Sequence, residues 1–381
     1  MSNFEFGIPQ QIFFCEDVLM KIKDILEDLK VKELLIISDP QIIESKLLKQ
    51  MKNLGSEGEY QIEIFSEIEP NPSIETVKKA AKIFQQSKAK LIIAVGGGSS
   101  IDTAKAAAIM AYYGEEITKY EGIDKIPGKI VSMIAIPTTA GTGSESTGTS
   151  VITDTKRNYK FSIKSSYLLP AYVILAPELL ASLPPLAAAS TGIDALVHAI
   201  EAYISKESNL FTDIMAEKAM DLIGKNIRRF VTDRSDMEAA ENMMLASNFA
   251  GIAFHSARLG IVHAMAHPVS GFFHTSHGIA NAILLPICMQ YNEGFDKGKY
   301  KKIYHFLTGK PEEEYINSSQ LANSIWNLLD DLGIPKKLSD VKVTEDKIPS
   351  MADDAMKSGN IQVNPRQVAK EDILALYYLA M

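Results

Sequence analysis

Short runs of branched apolar residues alternate with amphipathic stretches through the first half of the chain. Leu34 to Ile37 precedes a helix-like stretch from Gln41, Ile62 to Phe65 precedes Ile74 to Gln86, and Leu91 to Val95 precedes Ile101 to Tyr113. That alternation is the rhythm of βαβ units. A further strand-like run, Val131 to Ile136, stops at Pro137 and gives way to a loop rich in Thr, Gly and Ser.

From about Pro184 the period lengthens to that of helices rich in Ala, Met and Leu, with Leu186 to Ser205, Thr212 to Phe230 and Met237 to Ala253 as candidates. Pro184-Pro185 marks the boundary, and Gly333-Ile334-Pro335 breaks the carboxyl-terminal helices. The expected organisation is an α/β domain over residues 1–184 and an all-helical domain over residues 185–381. No internal repeat interrupts either part.

Composition narrows the function. The 381 residues suit two cores; 46% are hydrophobic, 23% are charged, and the formal net charge of -8 gives no electrostatic hold on nucleic acid. A small-molecule protein is expected. Cys15 and Cys288 are the two cysteines and stand far apart, so neither a disulfide framework nor a thiolate metal site is indicated. The opening Met1 to Gly7 lacks a basic segment followed by an apolar one, and no apolar run approaches the roughly 20 residues that span a bilayer. A cytoplasmic protein without membrane attachment is expected.

Two loops carry phosphate-binding chemistry. Leu91 to Val95 runs into Gly96-Gly97-Gly98-Ser99-Ser100 and then into a helix start. Glycine lets the backbone approach a pyrophosphate, and the free amides and dipole of the helix start attract it. A plain strand-to-helix turn would use the same residues. The second loop, Pro137 to Thr147, offers hydroxyl donors at the end of another strand, and two such loops at one sheet edge favour a dinucleotide site. Asp39, ending the strand Leu34 to Ser38, can accept hydrogen bonds from an adenosine ribose and would repel a 2′-phosphate, which favours NAD over NADP; it also suits an ordinary turn before Pro40.

Asp194 and His198 lie four residues apart on a predicted helix, on one face, where they suit either a metal or a local hydrogen bond. A second cluster, His263, His267, His274 and His277, means that six of the seven histidines lie between His198 and His277. The surrounding Ala, Met, Val, Phe and Ile would bury these imidazoles, and buried polar groups need partners. Imidazoles with one carboxylate and no thiolate suit Fe(II), Zn(II), Mn(II) or Co(II).

Taken together these residues resemble the iron-containing alcohol dehydrogenase family. The motifs are Glu69 to Pro72, Gly96 to Asp102, Pro137 to Glu145, Thr191 to Glu201, His263 to Pro268, His277 to Pro286 and Asn364 to Arg366, spread over nearly the whole chain. The resemblance implies a Rossmann-like amino-terminal domain followed by a helical metal-binding domain, in the dehydroquinate synthase-like fold. It implies one divalent ion, Fe(II) or Zn(II), on Asp194, His198, His263 and His277, and NAD(H) on Asn71, Gly97, Gly98, Ser99, Asp102, Thr138, Thr139, Thr142, Thr149 and Lys160. His267 resembles the family's unligated histidine, a proton relay or nicotinamide neighbour. Hydride transfer between NAD(H) and a small alcohol or aldehyde, by a homodimer or larger homo-oligomer, follows as the expectation.

One segment departs from the pattern. His255 and Arg258 stand where many similar enzymes have neutral residues, so Arg258, with His255 or His274, is a candidate site for an anionic group on a short aldehyde such as sulfoacetaldehyde. Pairing of Arg258 with an acidic residue is the competing expectation, and with it a simple aliphatic alcohol or diol as substrate. A dehydroquinate synthase-like lyase is the rival from another reaction class. A two-His-one-carboxylate oxygenase fits the ligand count less well, and a purely structural metal protein leaves the two loops unexplained.

Overall fold

The computed structural model describes residue 4 and residues 6–114, 116–157 and 159–381. Part of the amino-terminal stretch read above for a targeting segment therefore lies outside the described residues. The chain divides into two compact units: residues 8–139 with 144–180, and residues 181–381 with 140–143 and the described residues before position 8.

The first unit holds strands β1 (Gln11–Phe14), β2 (Glu33–Ser38), β3 (Gln61–Phe65), β4 (Leu91–Gly96), β5 (Gly122–Ile123), β6 (Met133–Pro137), β7 (Thr149–Asp154), β8 (Tyr159–Lys164) and β9 (Tyr172–Leu175). Among them run helices α1 (Val18–Leu29), α2 (Lys46–Ser56), α3 (Ile74–Ser87) and α4 (Gly98–Tyr113). Six strands form a parallel sheet in the order β1-β9-β6-β4-β2-β3. Alternate residues of one strand enter opposite cores. Leu35, Ile37, Ile92 and Ala94 pack with α3 and α4, whereas Leu34, Ile36, Leu91 and Ile93 pack with α1 and α2. Burial on both faces explains why these strands read as continuous apolar runs.

The chain leaves β2 for β3 on one side and returns to β4 on the other, which makes the carboxyl ends of β2 and β4 a topological switch point. The helix expected from Gln41 begins instead at Lys46. Asp39 and Pro40 open a short 3₁₀ turn, and the Ser45 side chain, accepting from the Leu48 amide, caps α2. Conversely α4 starts at Gly98, before Ile101, because the glycine turn is itself the helix entry. A second sheet, β5-β8-β7, was not expected from the pattern, and it contains the antiparallel pair β7 and β8.

The second unit is helical: α5 (Pro185–Ile204), α6 (Leu210–Thr232), α7 (Met237–Ala257), α8 (Ile261–Phe273), α9 (His277–Tyr291), α10 (Tyr300–Thr308), α11 (Ser318–Asp331), α12 (Ile348–Met356) and α13 (Lys370–Ala380). α5 is buried at every position from Gly192 to Ile204 and packs against α6, α7 and α9. A helix enclosed on all sides can carry polar groups only if each finds a partner. Among the described residues, no helix is long and apolar enough to cross a membrane.

Candidate active site

In the first unit Asp39, Gly97, Gly98, Ser99, Thr138 and Thr139 collect at the carboxyl end of the parallel sheet. Register pairs Ser38 with Val95 and Gly96 with Pro137, so Asp39, Gly97 and Thr138 follow directly from three neighbouring strands. Gly96 has φ of +152°, and a Cβ there would meet Ser100 Oγ at 2.3 Å and Asp39 N at 3.7 Å. Only glycine makes this turn. Gly97 is the N-cap of α4, and Gly98 and Ser99 form its first turn, where amides are free of intrahelical partners. Thr139 Oγ1 is buried beside this turn without a hydrogen-bond partner among the described residues, its methyl 3.2 Å from where a Gly97 Cβ would stand. An orphaned hydroxyl beside free helix-start amides fits an anionic ligand. Asp39 Oδ1 accepts from the Gln41 amide at 2.7 Å, the turn role weighed above, and leaves its second oxygen without any such cap.

Asn71 and Lys160, 89 positions apart, meet directly: Lys160 Nζ donates to Asn71 Oδ1 at 2.7 Å. Asn71 holds a left-handed φ of 60°, and Thr153 Oγ1 on β7 donates to its carbonyl at 3.1 Å. Burial lowers the Lys160 ammonium to about 8. Asp102 is turned inward instead, accepting from Ser144 Oγ and from the Val151 amide at 3.0 Å. Thr149 opens β7, while Thr142 belongs with the second unit.

In that second unit, Asp194 and His198 lie one turn apart on α5, His263 in the first turn of α8, and His277 at the start of α9. One ligand atom each from Asp194, His263 and His277 falls within 4.8 Å of the others. Asp194 Oδ1 is 3.9 Å from His263 Nε2 and 4.0 Å from His277 Nε2. The His198 ring stacks on that of His263 with centroids 4.6 Å apart. Close approach of α9 to α5 depends on Gly278, where a Cβ would stand 2.1 Å from Ser190 O.

The outer nitrogens of two rings are committed. His198 Nδ1 lies 3.2 Å from the Gly141 carbonyl, which can only accept, so Nδ1 carries the proton and Nε2 is free. His263 Nδ1 lies 2.6 Å from Glu201 Oε2, so this nitrogen is committed as well, and Nε2 is the one that stands 3.9 Å from Asp194 Oδ1. Asn281 Nδ2 donates to Asp194 Oδ1 at 2.7 Å and lies 3.2 Å from both His263 Nε2 and His277 Nε2. Its Oδ1 is buried without a hydrogen-bond partner among the described residues. Burial raises the Asp194 carboxyl, against His198 and Asn281, and lowers His198. A buried carboxylate among imidazoles with unprotonated Nε2 atoms fits a divalent first-row ion.

His267, on α8, stacks on His277 with centroids 5.1 Å apart. His255 is partly buried near the end of α7, and His274 is exposed in a left-handed conformation after α8. Arg258 caps α7: its guanidinium pairs with Glu207 at 3.3 Å and donates to the Gly359 carbonyl, while Nε is buried without a hydrogen-bond partner among the described residues. The competing expectation of an acidic partner is thus the geometry observed.

Sequence reasoning missed Glu201, Asn281 and Lys105. Glu201 stood inside a quoted motif, Asn281 lies one turn after His277, and Lys105 interrupts a run of buried alanines.

Known proteins resemble this chain over nearly its whole length. Residues 9–177 match the profile described as "Iron-containing alcohol dehydrogenase", and residues 188–381 match "Fe-containing alcohol dehydrogenase family, C-terminal". The 1,3-propanediol dehydrogenase of Citrobacter freundii is 36% identical over 379 residues, 98% of each chain. The lactaldehyde reductase of Escherichia coli is 36% identical over 350 residues, 91% of each. The crystal structure of sulfoacetaldehyde reductase from Bifidobacterium kashiwanohense in complex with NAD+ superposes with a TM-score of 0.88 at 28% identity, covering 100% of this chain and 99% of the other.

Proposed function

The chain belongs to the iron-containing alcohol dehydrogenase family of oxidoreductases acting on CH-OH groups, and from that premise we propose that it interconverts a short primary alcohol and its aldehyde using NAD(H). In this reading Asp194, His198, His263 and His277 hold one divalent ion, Fe(II) or Zn(II). The observation that carries it is the convergence of ligand atoms from Asp194, His263 and His277 within 4.8 Å of one another, with Nδ1 of His198 and of His263 bonded outward to Gly141 and Glu201.

When bound, the ion supplies Lewis acidity to an alcohol or aldehyde oxygen, and the nicotinamide supplies or receives the hydride. The protein's own contributions are orientation and proton handling. Asp194 contributes the negative charge and Asn281 fixes its carboxylate. His267, stacked on His277 and partly exposed, is the group we assign to exchange the hydroxyl proton with solvent. Gly97, Gly98, Ser99, Thr138 and Thr139 receive the pyrophosphate, Asp39 the adenosine ribose, and Lys160 with Asn71 a further polar part of the cofactor. Asp102 and Thr149 serve the same site.

Short neutral substrates, diols included, are favoured because the Arg258 guanidinium already has Glu207 and Gly359 as partners. An anionic aldehyde is the second reading, resting on the unpartnered Arg258 Nε and on the sulfoacetaldehyde reductase likeness. Purified enzyme loaded with Fe(II) or Zn(II) decides between them in a panel of acetaldehyde, butanal, lactaldehyde, sulfoacetaldehyde and succinic semialdehyde with NADH and NADPH. Efficient NADH-linked reduction of the neutral aldehydes is expected. Preference for the anionic ones overturns the substrate assignment, and absence of NADH oxidation with every aldehyde overturns the function. A homodimer or larger assembly in the cytoplasm completes the proposal, with light scattering as its check.

A further inference from the structure

Lys105 is fully buried in the third turn of α4, in the run Ala104-Lys105-Ala106-Ala107-Ala108 where each flanking alanine is also buried. A buried ammonium is costly unless every proton finds an acceptor. Here Nζ reaches Ser144 O at 2.6 Å, Thr147 O at 2.8 Å and Thr149 O at 2.8 Å, with Ser144 Oγ at 3.1 Å. Three of these four acceptors are backbone carbonyls of one short strip, residues 144–149.

One turn earlier on the same helix, Asp102 takes the other polarity, from Ser144 and from the two residues that follow the strip. Its carboxylate accepts from Ser144 Oγ and from the Val151 amide at 3.0 Å, and its backbone carbonyl accepts from Ser150 Oγ at 2.8 Å. Lys105 Nζ and Asp102 Oδ1 stand 4.0 Å apart, so the cation is balanced as well as hydrogen-bonded. The first turn of this helix is the glycine turn of Gly97, Gly98 and Ser99. One rigid element therefore carries the phosphate-facing amides at its start and grips the second loop by its carbonyls two turns later.

We propose that Lys105 is a positioning residue for the dinucleotide: it fixes the strip 144–149, with Thr149, in register with the glycine turn, so that both loops present one preformed surface to NAD(H). This rests on the cofactor reading above. A lysine is the residue for this task because its ammonium is a compact donor of three hydrogen bonds on a flexible stem, able to gather converging carbonyls as a planar guanidinium cannot. Preorganisation of the loop removes an ordering cost that binding would otherwise bear.

The test uses the full chain loaded with Zn(II), comparing wild type with Lys105→Met, which keeps the stem and removes the donors, and Ser144→Ala, which keeps the cation and removes one hydroxyl. NADH affinity is read by fluorescence titration, Zn(II) affinity by chelator competition, and the amides of residues 144–151 by hydrogen exchange. Lys105→Met is expected to weaken NADH by at least about tenfold, to speed exchange in that strip, and to leave Zn(II) affinity unchanged. Ser144→Ala is expected to weaken NADH by a few-fold, and it carries the test should Lys105→Met not fold. A lower unfolding temperature with unchanged NADH affinity makes Lys105 a residue of the fold alone and overturns the inference. Wild-type chain that binds no NADH overturns the cofactor reading, and this inference with it, whereas wild-type binding that both variants match overturns this inference only.

Discussion

Glu201 Oε2 lies 2.6 Å from His263 Nδ1, and Oε1 of the same carboxylate accepts the Val262 amide at 2.7 Å. One buried side chain thus orients an expected ligand and caps the helix that carries it. Burial raises the Glu201 carboxyl to about 7, against the amides of Gly260, Val262 and His263. Glu201→Ala removes both roles. We expect metal affinity to fall by about 10- to 100-fold, measured by competition with a chromogenic chelator, and an unaltered affinity would dissociate Glu201 from the ion.

Asn281 gives a pair of variants with opposite signs. Its amide donates to Asp194 Oδ1 at 2.7 Å, so Asn281→Leu frees that carboxylate and weakens divalent-ion binding by about tenfold. Asn281→Asp adds a second carboxylate beside the same imidazoles and tightens it. Calorimetric titration of the stripped protein with Zn(II) reads both, and equal affinities for the two variants would refute the assignment.

Gly278 is a packing requirement rather than a flexible joint. A methyl at this position would lie 2.1 Å from Ser190 O, which belongs to the helix carrying Asp194. Gly278→Ala should cost about 1–3 kcal/mol of stability by overpacking and weaken metal binding as His277 shifts. Unfolding temperature and Zn(II) affinity measured together check it; an unshifted unfolding temperature contradicts the clash.

Lys160 predicts a pH dependence. Burial holds its ammonium at about 8, well below an ordinary lysine, and among the described residues no anion offsets the shift. NADH is an anion and favours the protonated form, so binding is strongest below that value and takes up a proton above it. From about pH 7 to about pH 9 the NADH dissociation constant should rise by up to about tenfold, whereas Lys160→Met should show a flat profile. A rise of equal size in the variant would assign the titration elsewhere.

Legibility in the sequence followed the range of the interactions. Leu34 to Ile37 and Leu91 to Val95 announced strands because burial on both faces demands unbroken apolar runs. The pair β7 and β8 escaped notice although Val151 to Asp154 and Tyr159 to Lys164 alternate in burial, since two short half-polar strands resemble a solvated loop. The aspartate and histidines stood out by residue type and clustering. Glu201 and Lys105 did not, because their roles exist only through partners 62 and 39 to 44 positions away.

The outward bonds of His198 and His263 bear on how the protein acquires its metal in a living cell. Because Gly141 and Glu201 aim these rings through the polypeptide itself, a ligand set built on them would take its shape during folding, and loading would resemble filling a socket more than building one. A rigid socket of nitrogen and oxygen donors discriminates weakly among neighbouring first-row ions. On the proposed ligand set the occupant would then be a matter of supply, and the same chain would mature as an iron protein or a zinc protein according to the ions available where it is made.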